Sequence, residues 1–195
     1  MAITASDLVK YLTGATADGG TQADPNASLG NYRSSSAVVN NTTENLFDNV
    51  AGDESQSGDT EYRCICIKNT HASLELQNAR IYLSESDIGS GNSVAFAVET
   101  PATGAETNGN AQSIADESTA PTVNTTDHNG TGSGISGWST AASYSAGVPV
   151  SQGAHDANLG VGEIVFVWIR RTIGAGATSA TGVDFTIRIQ GDTAA

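Results

Sequence analysis

The side chains best suited to chemistry are two thiols two residues apart, Cys64 and Cys66, in Glu-Tyr-Arg-Cys-Ile-Cys-Ile-Lys. In a strand, residues i and i+2 point to one face about 7 Å apart along the chain, which does not favour a mutual disulfide. A metal site needs further Cys or His at suitable spacing, and no second Cys pair exists. Buried free thiols serving as small apolar side chains are the expected reading, with an intermolecular cross-link as the alternative. The histidines His71, His128 and His155 are spread over loop-like segments, and His71 reads as a hairpin-turn residue. Gly132-Ser133-Gly134 lacks the strand-to-helix context of a nucleophile elbow. Phosphate loops, dinucleotide fingerprints and EF-hand spacing are absent. Asp53-Glu54, Asp116-Glu117 and Asp127 are oxygen-rich enough to consider for calcium, but read as solvated acidic loops. The Asn-x-Ser/Thr sequons at Asn26, Asn41, Asn124 and Asn129 are what chance gives in such a polar chain. No catalytic residue, cofactor or metal is therefore expected.

Side chains suited to contact are more informative. Trp168 sits inside an apolar run and is expected in the core, whereas Trp138, with Tyr144 nearby, lies in a glycine-rich stretch. Trp138 reads as an anchor for a neighbouring subunit or a local core plug, with a sugar-stacking platform as the alternative. Arg63, Arg80, Arg170, Arg171 and Arg188 all fall in strand-like runs and need acidic partners, either Glu61 and Glu75 across the strands or carboxylates of another subunit. Arg170 and Arg171 join Trp138, Tyr144 and the apolar stripe Leu8, Tyr11 and Leu12 as the candidate interface.

The elements that must carry these residues are mostly strands. Tyr62 to Lys68 alternates, with Arg63, Ile65 and Ile67 on one face and Tyr62, Cys64 and Cys66 on the other. Leu74–Leu83, Val94–Val98 and Val183–Ile189 are further strand patterns, and Ile164–Ile169, apolar on both faces, predicts a central strand. The first twelve residues read as a short helix, capped by Thr4 or Ser6 with Asp7 in the first turn and ending near Gly14. Residues 13–43 read as an extended arm. The expected organisation is a helix and arm over 1–43 and a β-domain over 44–195. Within it, 100–156 is an irregular glycine-rich region with short strands near Ala111–Ala115, Ser136–Ala141 and Val148–Val150. The fold class is all-β, an antiparallel β-sandwich, Ig-like or jelly-roll-like.

Composition bounds the rest. The 195 residues carry 8 Lys+Arg against 21 Asp+Glu, a net charge of −13, with Lys only at positions 10 and 68. A surface of that sign repels phosphate and excludes nucleic acid as a partner. No run of eighteen apolar residues is present, nor a basic segment leading into an apolar one, so neither a membrane partner nor a secretory signal is expected.

Several segments resemble small virion structural proteins of tailed bacteriophages: Asn45-Leu46-Phe47-Asp48-Asn49-Val50, Gly58 through Cys64, Lys68-Asn69-Thr70-His71, Val167 through Thr172, and Ile189 through Thr193. The opening Met-Ala-Ile-Thr-Ala-Ser-Asp-Leu and Asp24 through Gly30 share that likeness. None of these motifs is catalytic. The resemblance implies a non-enzymatic virion component made in the host cytoplasm, with capsid decoration or cement as the leading role. Its implied partners are the major capsid protein or other virion proteins and further copies of itself, a trimer being favoured. Neck, tail or baseplate components fit the same description, and a host-surface glycan-binding module is the reading of a different class.

Overall fold

The computed structural model describes residues 2–102, 104–126, 134–150, 156–177 and 184–193. In chain order the strands are β1 (Leu8–Ala15), β2 (Gly30–Ala37), β3 (Asp59–Asn69), β4 (Leu76–Asp87), β5 (Ser93–Glu99), β6 (Asn110–Ser113), β7 (Val148–Pro149), β8 (Ile164–Ile173) and β9 (Asp184–Thr193). One short helix, α1 (Gly52–Ser57), precedes β3. All strand pairings are antiparallel and build two sheets, one in the order β5-β8-β3-β1-β2-β6 and one in the order β7-β4-β9.

The long pairing of β3 with β8, from Asp59 opposite Ile173 to Lys68 opposite Ile164, is the spine of the larger sheet. Alternation sends its side chains to two separate apolar clusters. Ile65, Ile67, Val165, Val167 and Ile169 pack with Val94, Phe96 and Val98 of β5 and with Leu76, Ile81, Leu83 and Ile187 of the smaller sheet. Cys64, Cys66, Phe166 and Trp168 point the other way, into a second cluster with Ala97, Ala111, Ile135 and Ile164. β8 is thus buried on both faces over Ile164–Ile169, as its sequence predicts.

The larger sheet curls into a half-barrel around that second cluster. β5 and β6 end the strand order on opposite sides, yet the Gln112 amide N–H of β6 donates to Glu99 Oε1 of β5 at 2.9 Å. The region 100–156 spans the gap between them. Ser139 exchanges backbone bonds with Phe96, and Ser136 donates its N–H to the Val98 carbonyl and accepts the Val98 N–H at its hydroxyl. Ile135 bonds with Thr122 and Asn124, and the Gln112 side-chain amide bonds to both backbone groups of Thr122. The stretch the sequence marks as irregular therefore pairs, and β6 and β7 coincide with two of its expected short strands.

The N-terminus departs from expectation. Thr4 and Asp7 do form a cap, the Thr4 N–H and hydroxyl both donating to Asp7 Oδ2 at 2.7 Å, but the helix stops after the single 3₁₀ turn Ala5–Asp7. Residues 8–15 continue as β1, paired with β3 from Leu8 opposite Asn69 to Leu12 opposite Ile65. A two-turn helix is marginal by itself, whereas the strand gains a ladder and buries Leu8 and Leu12 in the main core. Residues 13–43 are likewise not an arm throughout, because β2 is hydrogen-bonded between β1 and β6. The expected boundary at 43/44 thus falls inside one sheet system. β2 escapes sequence reading because its buried positions are Gly30 and Ser34, the latter donating its hydroxyl to the Gln22 carbonyl at 2.7 Å.

Candidate interaction site

One end of the β3–β8 spine gathers most of the polar side chains that sequence reasoning singles out. Glu61 stands directly opposite Arg171, and Tyr62 opposite Arg170. Since adjacent rungs point to opposite faces, one spine end presents two different arrangements.

On the main-core face lies a charge network. Arg171 Nε donates to Glu61 Oε2 at 2.6 Å, and its other nitrogens reach the Asp48 carbonyl at 2.6 Å and Asp48 Oδ1 at 3.1 Å. Arg63, fully buried, bonds Glu117 and the Asn26 side-chain oxygen, the latter at 3.0 Å. Both guanidinium groups also lie over the Phe47 ring, at 5.4 Å for Arg63 and 4.8 Å for Arg171. Burial pushes the Glu61 carboxyl above its ordinary range, while Arg171 and Arg63 pull it back. The expectation that Glu61 serves a strand arginine is met by Arg171. Arg80 instead donates to the Gly147 carbonyl at 2.7 Å.

On the half-barrel face lies an aromatic stack. The Trp138 and Tyr62 rings are 5.6 Å apart and tilted by 43°, and the Arg170 guanidinium sits 4.9 Å from the Trp138 ring centre. All three are half-buried, and Trp138 and Tyr62 pack on the half-barrel cluster. Among the described residues the Arg170 side chain has no hydrogen bond or ion pair. Its charge is held by the indole face instead.

The other candidates are scattered. Leu8 and Leu12 are core side chains, which corrects their reading as an interface stripe: strand alternation turns both inward. Tyr11 points to the half-barrel side, with the Arg33 guanidinium 4.8 Å over its ring and Arg33 itself forked onto Asp18. Tyr144 donates its hydroxyl to the Asn78 carbonyl of β4 at 2.9 Å, so it is held by the smaller sheet while Trp138 is held by the larger. His71 accepts backbone N–H bonds from Ser73 and Leu74 through Nδ1. It turns the chain from one sheet to the other rather than through a hairpin. His128, His155, Asp127 and Gly132-Ser133 lie outside the described residues.

Sequence reasoning missed Glu99. It is fully buried inside the half-barrel, where Oε2 accepts from the Trp168 indole N–H at 2.7 Å and Oε1 from Gln112. Burial drives its carboxyl up to about 7, against the lowering effect of both bonds. The signal was present in phase: Ala95, Ala97 and Glu99 share one strand face. Cys64 and Cys66 line the same interior as free thiols, both pushed well above the ordinary thiol range by burial, so neither is a nucleophile or a metal ligand as it stands.

Among the described residues no three His, Cys, Asp or Glu side chains cluster as a metal site. Asp116 spends its carboxylate on Ser118 and Thr119, and Glu54 accepts from the Ala51 N–H at the start of α1. Among the described residues no helix is long and apolar enough to cross a membrane. Comparison with family models, with curated proteins and with solved structures finds no match to this chain.

Proposed function

We propose that this protein is a non-enzymatic structural component of a tailed-bacteriophage virion, a capsid decoration or cement protein that stabilises the particle through contacts between subunits, and that its two sheets act together as a β-sandwich. The observation that carries the reading is the use made of its buried polar side chains. Glu61, Arg63 and Glu99 are each bonded to residues far away in sequence, Glu61 and Glu99 across strands and Arg63 to the Asn26 side chain of a connecting turn. Such groups stiffen a body, and none of these three stands free as a general base or nucleophile. The net charge of −13 suits a place on the outside of a shell, away from packaged DNA. Cryo-electron microscopy of the purified particle tests it. Density for this chain at regular lattice positions is the expected result, and its absence from purified virions overturns the reading. Copy number separates a shell role from a neck or baseplate one.

A second reading, a module that binds host-surface glycans, draws on the half-exposed Trp138 with Arg170 over its ring. Sugars stack on aromatic faces, and an arginine beside one favours acidic sugars. A glycan array with the native chain and with Trp138→Ala decides it: binding lost in the variant supports this reading, and no binding above background retires it.

A further inference from the structure

β9 ends the smaller sheet, and among the described residues no backbone hydrogen bond runs from its outer edge. The orientation of its free groups follows from its neighbour. The Leu83 N–H of β4 donates to Ala141 at 2.8 Å, on the side away from β9. In an antiparallel ladder the residue opposite, Ile187, then also turns its N–H and C=O away from β4, and alternation gives Phe185 the same outward orientation. A strand edge of this kind is a template for another strand.

Among the described residues, Asp184 and Arg188 along it form no ion pair. Asp184 stands opposite Asp87, acid against acid at the sheet end, while Arg188 stands opposite Tyr82 and has no carboxylate partner among the described residues. Both Asp184 and Arg188 are exposed. Exposed charges alone commonly protect an edge from pairing. Here their order makes the edge self-complementary.

We propose that β9 is a homodimerisation edge, pairing antiparallel with β9 of a second copy about a twofold axis at Thr186. That register sets Asp184 opposite Arg188 of the second copy at both ends, Phe185 opposite Ile187, and Thr186 opposite itself. Each pair is of a kind that favours cross-strand association. The outward groups of Phe185 and Ile187 face each other as hydrogen-bonded pairs, so every free donor and acceptor in the segment finds a partner. Centring the pairing two residues on, at Arg188, would set Arg188 against itself and Asp184 against Asp192, which like-charge repulsion disfavours. The twofold operation joins two three-stranded sheets into one six-stranded sheet and continues the apolar face carried by Phe185 and Ile187. The inference stands on strand chemistry alone and is independent of the virion reading.

Sedimentation velocity on the full chain tests it, with circular dichroism confirming that each variant is folded. The native chain is expected to show a concentration-dependent dimer. Arg188→Glu and Asp184→Lys, each setting like charges opposite one another, are expected to weaken it by about tenfold or more. Mixing the two single variants restores opposite charges at both ends and should recover a mixed dimer, as should the double variant with itself. A native chain that stays monomeric to millimolar concentration, forms a trimer, or forms a dimer indifferent to both reversals overturns the proposal.

Discussion

The indole N–H of Trp168 donates to a carboxylate oxygen of Glu99 at 2.7 Å inside the half-barrel, linking β8 to the last residue of β5. The other oxygen of Glu99 is claimed by Gln112 of β6. One buried side chain thus ties β8 and both edges of a curled sheet together.

That placement sets a pH dependence. The Glu99 carboxyl is raised from an ordinary 4.5 to about 7 because burial penalises its charged form. A raised folded value means that the stabilisation is fully present below about 4.5 and is lost as the pH climbs through about 7. At about 1.4 kcal/mol per unit, the loss is on the order of 3 kcal/mol. Denaturant unfolding of the native chain and of Glu99→Gln, compared from pH 4.5 to 8, should show this component in the native chain alone. Parallel pH profiles would contradict it.

The Glu61–Arg171 pair is nearly buried, with Glu61 2% exposed and Arg171 12%. Removing one partner strands the other's charge, so Glu61→Ala should cost about 3–5 kcal/mol. Glu61→Gln with Arg171→Met together should cost clearly less than the two changes summed. A double-mutant cycle by urea unfolding measures the coupling, and a cycle that sums to zero would show the pair to be energetically idle.

Both thiols should be silent in the folded protein. Cys64 and Cys66 are fully buried, and burial holds them protonated. A thiol-reactive dye is therefore expected to label two sites in denaturant and neither on the native timescale, with a slow rate that follows opening of the half-barrel. Prompt labelling of either native thiol would mean that the curl stands open in solution.

Gly30 marks the tightest approach in the half-barrel. Its φ is +90°, and a Cβ there would come within 1.9 Å of the Gln112 carbonyl oxygen and 2.9 Å of the Trp168 ring. Gly176 has a similar φ of +75° but opens on free space. Gly30→Ala is expected to cost about 1–3 kcal/mol more than Gly176→Ala, since overpacking adds to backbone strain. Equal losses in calorimetric melting would remove steric contact as the reason for glycine at position 30.

How much of this the chain reveals before folding depends on what each strand buries. β8 is legible because Ile164–Ile169 is an unbroken run of Ile, Val, Phe and Trp, and β3 because Ile65 and Ile67 alternate with Cys64 and Cys66 between its two faces. β2 is opaque because it buries Gly30 and Ser34 and satisfies the serine by a hydrogen bond, which in sequence looks like a loop. β1 misleads for another reason: Thr4 and Asp7 are a genuine cap, and only the competing ladder with β3 cuts the helix short. At the site, Arg170, Arg171 and Trp138 are visible by residue type, whereas their division between two faces follows from a register that no local pattern fixes. Glu99 is hidden among 21 acids, and its phase with Ala95 and Ala97 is the one local clue.

The strand order also governs how the polypeptide is made. β3 leaves the ribosome well before its principal partner, the Glu61–Arg171 contact closing over 110 residues. β1, already able to pair with β2, can accept β3 as soon as β3 is synthesised, but the opposite flank of β3 stays bare until β8 follows. Assembly of the native sheet therefore waits for β8 and, with so many distant pairings, is slow. Chaperone protection of the nascent β3 flank would be a natural requirement for high yield.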